Sequence, residues 1–188
     1  VMMEMGQPLH AFDSKKITGD IKVRKANKEE TFKALDGNEY KLQPEDLVIS
    51  DENEALALAG IMGGANSGVT EKTKEVFIES AHFSQSAIRK SSKKLGLSSD
   101  SSYRFERGVD PAQVVTASEM AAQLIKDLAG GKIFDEVITC GTYDFPPRSI
   151  QMHLEKCKKI LGFNLEKDEM TEILGNLGII ALSHEDGT

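Results

Sequence analysis

Glu79 stands in the middle of an otherwise apolar run, VFIESAHF at 76–83, with no counter-charge in its own segment. Burying an unpaired carboxylate is expensive, so such a group either pairs with an internal basic side chain or points into a pocket where a ligand is the partner. His10 is a second candidate. In GQPLHAFD at 6–13, Gly6 and Pro8 predict a turn that holds the imidazole in a rigid loop rather than a helix. A histidine near its ordinary pKa can orient water or hydrogen-bond a ribose hydroxyl, both useful in ester hydrolysis, although the residue type alone fits a structural role as well.

Two further blocks are dense in residues that cores do not require. ALAGIMGGANSGVT at 57–70 holds Gly60, Gly63, Gly64 and Gly68, but no GK[ST] follows and the GxGxxG spacing is missing, which disfavours a nucleotide-phosphate loop. Such glycines mean close approach of the backbone, either to another strand or to a substrate. In SSDSSYRFERGVDP at 98–111, Ser99 and Ser101 flank Asp100, yet neither a Ser-His-Asp order nor GxSxG is present, and loop and cap roles are the default. Arg104, Glu106 and Arg107 read as an ion-pair network, and Asp13 and Asp110 as turn and cap residues. The run SAIRKSSKKLGL offers Arg89, Lys90, Lys93 and Lys94, which with Arg104 and Arg107 form either a solvated helix face or a local RNA contact.

The elements that position these groups are legible in outline. IKVRK alternates apolar and charged residues, Asp36-Gly37-Asn38 is a hairpin-type turn, and LVIS at 47–50 with ALALAGI at 55–61 flanks the polar Asp51–Glu54 as a second hairpin. Ser84 predicts the cap of a helix to about Leu95, ended by Gly96. A longer helix is expected over 111–129, with Asp110 as N-cap, Pro111 in the first position, Gln113 completing a capping box and Gly130-Gly131 ending it. Its apolar face is Val114, Ala117, Ala121, Leu124 and Leu128. After the strand-like IFDEVITCG, the segment TYDFPPRS reads as a linker at Pro146-Pro147, and two helices follow near 153–161 and 166–177. The expected division is therefore 1–147 and 148–188, the second part too short to close a core, which suggests a fragment of a longer chain.

Composition narrows the class. With 188 residues, 39% hydrophobic and 28% charged, the chain reads as a folded soluble protein of one domain and part of another. No apolar run reaches the length of a membrane span and no signal-peptide pattern opens the chain, so a cytoplasmic location is expected. Cys140 and Cys157, without CxxC or a neighbouring His at ligand spacing, signal neither a disulfide framework nor a metal site. A net charge of −7 argues against a surface devoted to nucleic acid and confines any RNA contact to a local patch.

In combination and order, GQPLHAFD, ALAGIMGGANSGVT, VFIESAHF and SSDSSYRFERGVDP resemble the β subunit of bacterial phenylalanyl-tRNA synthetase, in the region of its editing domain. No single block is a strong motif; the four in register from residue 6 to residue 111 carry the resemblance. It covers Val1 to Pro147, and the remainder looks like the start of the next domain of that subunit. The resemblance implies an α+β fold, a mixed or antiparallel sheet with packed helices, followed by a truncated, small helical segment. The family's editing domain begins upstream of Val1.

The implied activity is hydrolysis of the ester in tyrosine wrongly attached to phenylalanine tRNA, a second sieve behind the synthetic site. The glutamate matching Glu79 recognises the phenolic hydroxyl of tyrosine in that family. A site built for a hydroxyl rejects the analogue lacking it by factors on the order of 10⁴. His10 matches an editing-site histidine, and Met62, Gly63 and Gly64 match the wall of the amino-acid pocket, with Pro8 beside them. Where the family often carries threonine and alanine, this chain has Ser99, which keeps a hydroxyl for substrate or water, and Ser101, which adds polarity to the pocket. His10 and Ser99 are thus the implied catalytic pair. The implied partners are tRNA(Phe), the mischarged tyrosine moiety and the α subunit of an α2β2 assembly, which carries the aminoacylation site. ATP and magnesium serve the full synthetase; no cofactor or metal is expected in this segment. The alternative from another class is a non-catalytic structural or tRNA-binding module of the heterotetramer.

Overall fold

The alternating run forms strand β2 (Lys22–Lys25), and the two apolar runs form β5 (Leu47–Ser50) and β6 (Ala55–Leu58). Asp51 closes the β5–β6 turn: its carboxylate accepts from the backbone N–H groups of Asn53 at 2.8 Å, and of Glu54 and Thr18 at 2.9 Å. With β7 (Met62–Gly63) these strands make an antiparallel sheet ordered β2-β5-β6-β7. Val48, Ile49, Leu56, Ala57 and Leu58 are all buried, which is why β5 and β6 read as continuous apolar runs instead of alternating ones.

β3 (Thr31–Lys33) and β4 (Glu39–Lys41) are a hairpin reversed at Asp36-Gly37-Asn38. Gly37 takes the left-handed conformation the turn demands, with φ 84°, and the Asp36 carboxylate accepts from the Asn38 N–H and the Tyr40 hydroxyl. β1 (Leu9–Asp13) and β8 (Val76–Ser80) form a separate antiparallel ribbon. The expected turn is present, Gly6 ending the short helix α1 (Met2–Met5), but His10 lies in β1 and not in a loop. The reason is pairing: β8 presents a row of backbone donors and acceptors that another strand satisfies. Bridges from Phe12 to Gly68 and from Ala34 to Gly64 then tie ribbon, hairpin and sheet together through residues 62–68.

Helix α2 (Gln85–Leu95) follows the expected bounds and ends at Gly96 with φ 66°, but Ser84, in the N-cap position, makes no cap bond to the backbone because its hydroxyl pairs with that of Ser86 at 3.2 Å. Ser91 docks it on the core through a bond to the buried Asp46 at 2.5 Å. Helix α3 (Asp100–Phe105) was not expected, because its capping box is made of two serines, Ser99 and Ser102, instead of the usual pairing with Glu or Gln. Helix α4 (Gln113–Ala129) starts later than Pro111. The Asp110 carboxylate accepts from Ala112 N–H at 3.0 Å and its carbonyl from Gln113 N–H, so an Asx turn forms first and Gln113 completes no capping box. α4 packs on β8, where the Ser80 hydroxyl donates to Val114 O at 2.7 Å. Of its expected apolar face Ala117 is buried, whereas Leu128 is 86% exposed.

The computed structural model describes residues 1–134, 137–141, 145–146 and 148–182. Parts of the expected strand at 133–141 (Asp135, Glu136), of the linker (Thr142, Tyr143, Asp144, Pro147) and of the tail from 183 lie outside the described residues; the described part of 133–141 forms no strand. The chain divides into two units, Val1–Thr142 and Tyr143–Thr188. The first is an α+β fold whose core is centred on Phe12, Leu42, Val48, Leu56, Leu58 and Ile88. The second contains α5 (Leu154–Leu161) and α6 (Lys167–Asn176), with a Glu155–Lys158 ion pair at 3.6 Å on α5. Among the described residues no helix is long and apolar enough to cross a membrane.

Candidate active site

The ribbon register places His10 directly opposite Glu79. Opposed residues of an antiparallel pair project on the same face, so imidazole and carboxyl stand side by side, with Phe12 and its partner Phe77 next along that face. The His10 ring meets Phe12 edge-on, centroids 4.5 Å apart, which fixes its plane. Glu79 has no hydrogen bond or ion pair among the described residues, and burial pushes its carboxyl up to about 7. Burial also lowers the pKa of His10, and its Nε2 is shielded from water without a partner. Two titratable groups, one shifted up and one shifted down by burial, therefore face one another with hydrogen-bonding capacity unspent. Glu79 can accept from a ligand hydroxyl, and a neutral His10 can accept a proton from water.

Three glycines are fixed by what surrounds them. A β-carbon at Gly63 would fall 2.5 Å from His10 Nε2 and nearer still to Cε1, so the imidazole occupies the space left by the missing side chain. A β-carbon at Gly64 would lie 2.6 Å from Leu56 O, which makes Gly64 a requirement of strand packing. At Gly60 it would crowd Phe83. The strand alternative is thus realised at Gly64, whereas the close neighbour at Gly63 is a side chain, the His10 imidazole.

Ser99 and Ser101 grip the turn that leads into this strip. The Ser99 hydroxyl donates to Ile61 O at 2.6 Å and accepts from Ser102 N–H at 3.1 Å, and Ser101 donates to Gly60 O at 3.0 Å. Both hydroxyls are engaged by backbone and position the residues immediately before Met62. Pro8 is buried two residues before His10. Met62 is half-buried beside Gly63.

The basic run sits on α2 and divides. Arg89 donates to Glu106 O at 2.8 Å and Lys94 pairs with Glu45 at 2.5 Å, whereas Lys90 and Lys93 are exposed without an ion pair among the described residues. Arg107 pairs with Glu106 as the alternation of charge predicted, whereas Arg104 pairs with Asp100 and not with Glu106, so these side chains form two separate pairs and no single network. A polar cavity of about 200 Å³ lies elsewhere, between the β3–β4 hairpin and β6, with Lys33, Glu39, Glu54 and Asn66 in its wall; it touches the candidate site only at Gly64. No cluster of three His, Cys, Asp or Glu residues able to hold a metal occurs among the described residues.

Two residues that the sequence did not single out join the site. Leu35, at the hairpin tip, is 53% exposed, donates its N–H to Gly63 O at 3.0 Å and lays its methyl groups over Gly63 and Gly68. Gln7 is buried beside Pro8 and bonds to Ala81 O. Nothing in the periodicity marks either one, because their neighbours come from distant segments.

Residues 1–130 match the B3/4 domain, and the chain belongs to that family. It is similar to phenylalanine–tRNA ligase beta subunits from end to end. It is 46% identical over 178 residues to the subunit of Geobacter metallireducens, a match covering 94% of this chain and 22% of that protein. Against the subunit of Vibrio parahaemolyticus it is 43% identical over 188 residues, covering 100% of this chain and 24% of that protein. The chain thus spans about a quarter of the length of these curated relatives. An N-terminal fragment of the phenylalanyl-tRNA synthetase beta-subunit from Pyrococcus horikoshii aligns with 96% of this chain and 52% of its own, with a TM-score of 0.41 and 19% identity. The resemblance carried by the four sequence blocks is borne out by the family and the two bacterial relatives.

Proposed function

We propose that this chain is an editing hydrolase that cleaves the ester of tyrosine mischarged onto phenylalanine tRNA. The observation that carries the reading is the unpaired Glu79 carboxyl facing His10 across the ribbon. A carboxyl held without a partner costs stability at neutral pH, and a ligand hydroxyl removes that cost. Tyrosine brings such a hydroxyl and phenylalanine does not, so the discrimination falls on the group that separates the two amino acids. Gly63, Met62 and Leu35 supply the apolar wall for the ring. His10, kept neutral by burial, is the group that takes a proton from the attacking water. Ser99 and Ser101 are assigned a positioning role, because their hydroxyls already serve the Gly60–Ile61 backbone.

In this reading the chain works in the cytoplasm as part of an α2β2 synthetase, with tRNA(Phe) and the α subunit as partners. Lys90 and Lys93 are the RNA-facing cations of α2. The ATP and magnesium of the full synthetase are assigned to no residue here.

The test is release of tyrosine from tyrosyl-tRNA(Phe), compared with release of phenylalanine from phenylalanyl-tRNA(Phe), by this chain and its Glu79→Ala variant. The expected result is tyrosine-selective release whose selectivity falls in the variant. Loss of a hydrogen bond to a charged group, about 1.5–3 kcal/mol, corresponds to roughly 10- to 100-fold. Absence of release by this chain and by an α2β2 synthetase containing it would leave a binding module in place of a hydrolase.

A further inference from the structure

Gln7 is the most completely buried polar side chain on the segment that leads into the site, at 1% exposure. Its amide nitrogen is fully used, donating to Ala81 O at 2.8 Å and Pro8 O at 3.0 Å. Both partners are carbonyl oxygens, so the orientation of the amide is fixed by chemistry: the nitrogen faces them and the oxygen faces the other way. That oxygen, Oε1, is buried and has no hydrogen-bond partner. Among the described residues only one other buried side-chain atom is in this condition, His10 Nε2, three positions along the same segment. An orphaned acceptor costs about 1–3 kcal/mol, and native folds keep few of them.

The placement has a scale. Ala81, which the Gln7 amide grips, lies two residues beyond Glu79, just past the end of β8. At about 3.3 Å per residue the amide stands roughly 7 Å along the ribbon from the Glu79 backbone, comparable to the span from the phenol oxygen of a tyrosine to its α-carbon substituents. The residues assigned to the site, Pro8, His10, Glu79, Met62, Gly63 and Leu35, include neither Lys nor Arg.

We propose that Gln7 is a ligand-binding residue whose side-chain oxygen accepts a hydrogen bond from the α-ammonium group of an aminoacyl ligand whose phenol lies at Glu79. This rests on the editing reading above and adds to it the recognition of the amino end. Oε1 is shielded in the free chain, so the bond forms together with a small opening of the Gly6–Pro8 turn. The carboxyl at one end and the amide at the other then read the length of the amino acid between them.

The experiment titrates the chain with tyrosinamide and with its des-amino analogue, 3-(4-hydroxyphenyl)propionamide, while NMR follows the Gln7 side-chain ¹³Cδ and ¹⁵Nε2 signals. Affinities are measured in parallel for Gln7→Met and Glu79→Ala. Tyrosinamide is expected to move the Gln7 ¹³Cδ signal and the des-amino analogue to leave it in place. Gln7→Met is expected to weaken tyrosinamide by at least about tenfold, the worth of one charge-assisted hydrogen bond, while changing the analogue less than about twofold. Glu79→Ala weakens both. If Gln7→Met does not fold, the ¹³Cδ signal of the unsubstituted chain decides alone. Glu79-dependent binding of tyrosinamide with an unmoved Gln7 signal overturns this proposal and spares the editing reading. Failure of both compounds to bind the unsubstituted chain overturns the two together.

Discussion

An unpartnered carboxyl at position 79 makes the stability of the fold depend on pH in a way that Glu79→Gln removes. Burial raises the Glu79 pKa from 4.5 to about 7, so the folded chain holds this proton more tightly than the unfolded one. The sign follows from linkage: the contribution is fully present below pH 4.5 and is lost as pH rises through 7. At about 1.36 kcal/mol per pH unit the loss comes to roughly 3.4 kcal/mol, and the partial solvent contact of the carboxyl brings the expectation to about 2–3 kcal/mol. Glutamine has nearly the same shape and no proton to lose. The substitution should therefore be close to neutral below pH 4.5 and stabilising by that amount at pH 8.

His10 acts with the opposite sign. Its pKa is lowered by burial, so its contribution is intact above the unfolded value of 6.5 and is lost as pH falls below it. It is present in both proteins and cancels in their difference. The assay is urea unfolding followed by far-ultraviolet circular dichroism at several pH values, reading the midpoint at unchanged slope. The difference between the two proteins should grow steadily between pH 4.5 and 7 and then level off. A difference that stays flat over this range would refute the reasoning, because it would mean that the folded protein stabilises the Glu79 anion as well as water does.

The glycine strip and the serine cap yield two more expectations. Gly63→Ala should cost about 1–3 kcal/mol by overpacking against His10 and abolish tyrosine release. His10→Ala in the same chain should recover at least about 1 kcal/mol, and additive unfolding energies in that double-mutant cycle would contradict the contact. Ser99→Ala should cost about 1 kcal/mol through loss of the α3 cap, with tyrosine release per folded molecule nearly unchanged; a loss of release of about 100-fold would place the hydroxyl on substrate or water.

Local signals were legible in the sequence, and pairings between distant segments were not. The Asp36-Gly37 reversal, the β5–β6 hairpin and the end of α2 at Gly96 are written in neighbouring residues, and the fold follows them. The strand around His10 was missed because its partner lies on the far side of the sheet's whole sequence, and the Gly6–Pro8 turn drew attention to the loop that precedes it. Helix α3 was missed because a serine in place of Glu or Gln hides its capping box. Leu124 and Leu128 are exposed, so the periodic apolar face of α4 is left open along its C-terminal half among the described residues of the first unit. At the site, residue types singled out Glu79, His10 and the glycines. Their arrangement, with His10 opposite Glu79 and Gly63 under the ring, is a property of strand register that a one-residue slip would destroy.

The same register explains why the site and the fold fail in different ways. Gly60, Gly63 and Gly64 stand within five positions, yet their obligations differ: Gly60 yields to the core ring of Phe83, Gly64 to the carbonyl of Leu56, and Gly63 to the imidazole. A side chain at Gly60 or Gly64 opposes the packing that closes the sheet, so any loss of function there is a loss of folding. A side chain at Gly63 displaces a residue whose own burial lowers its pKa and whose neighbour across the ribbon carries a raised one. The strand that ends the sheet is in this way also the floor of the site. Its two roles meet at one backbone position, where the absence of a single methyl group lets an imidazole stand beside a carboxyl.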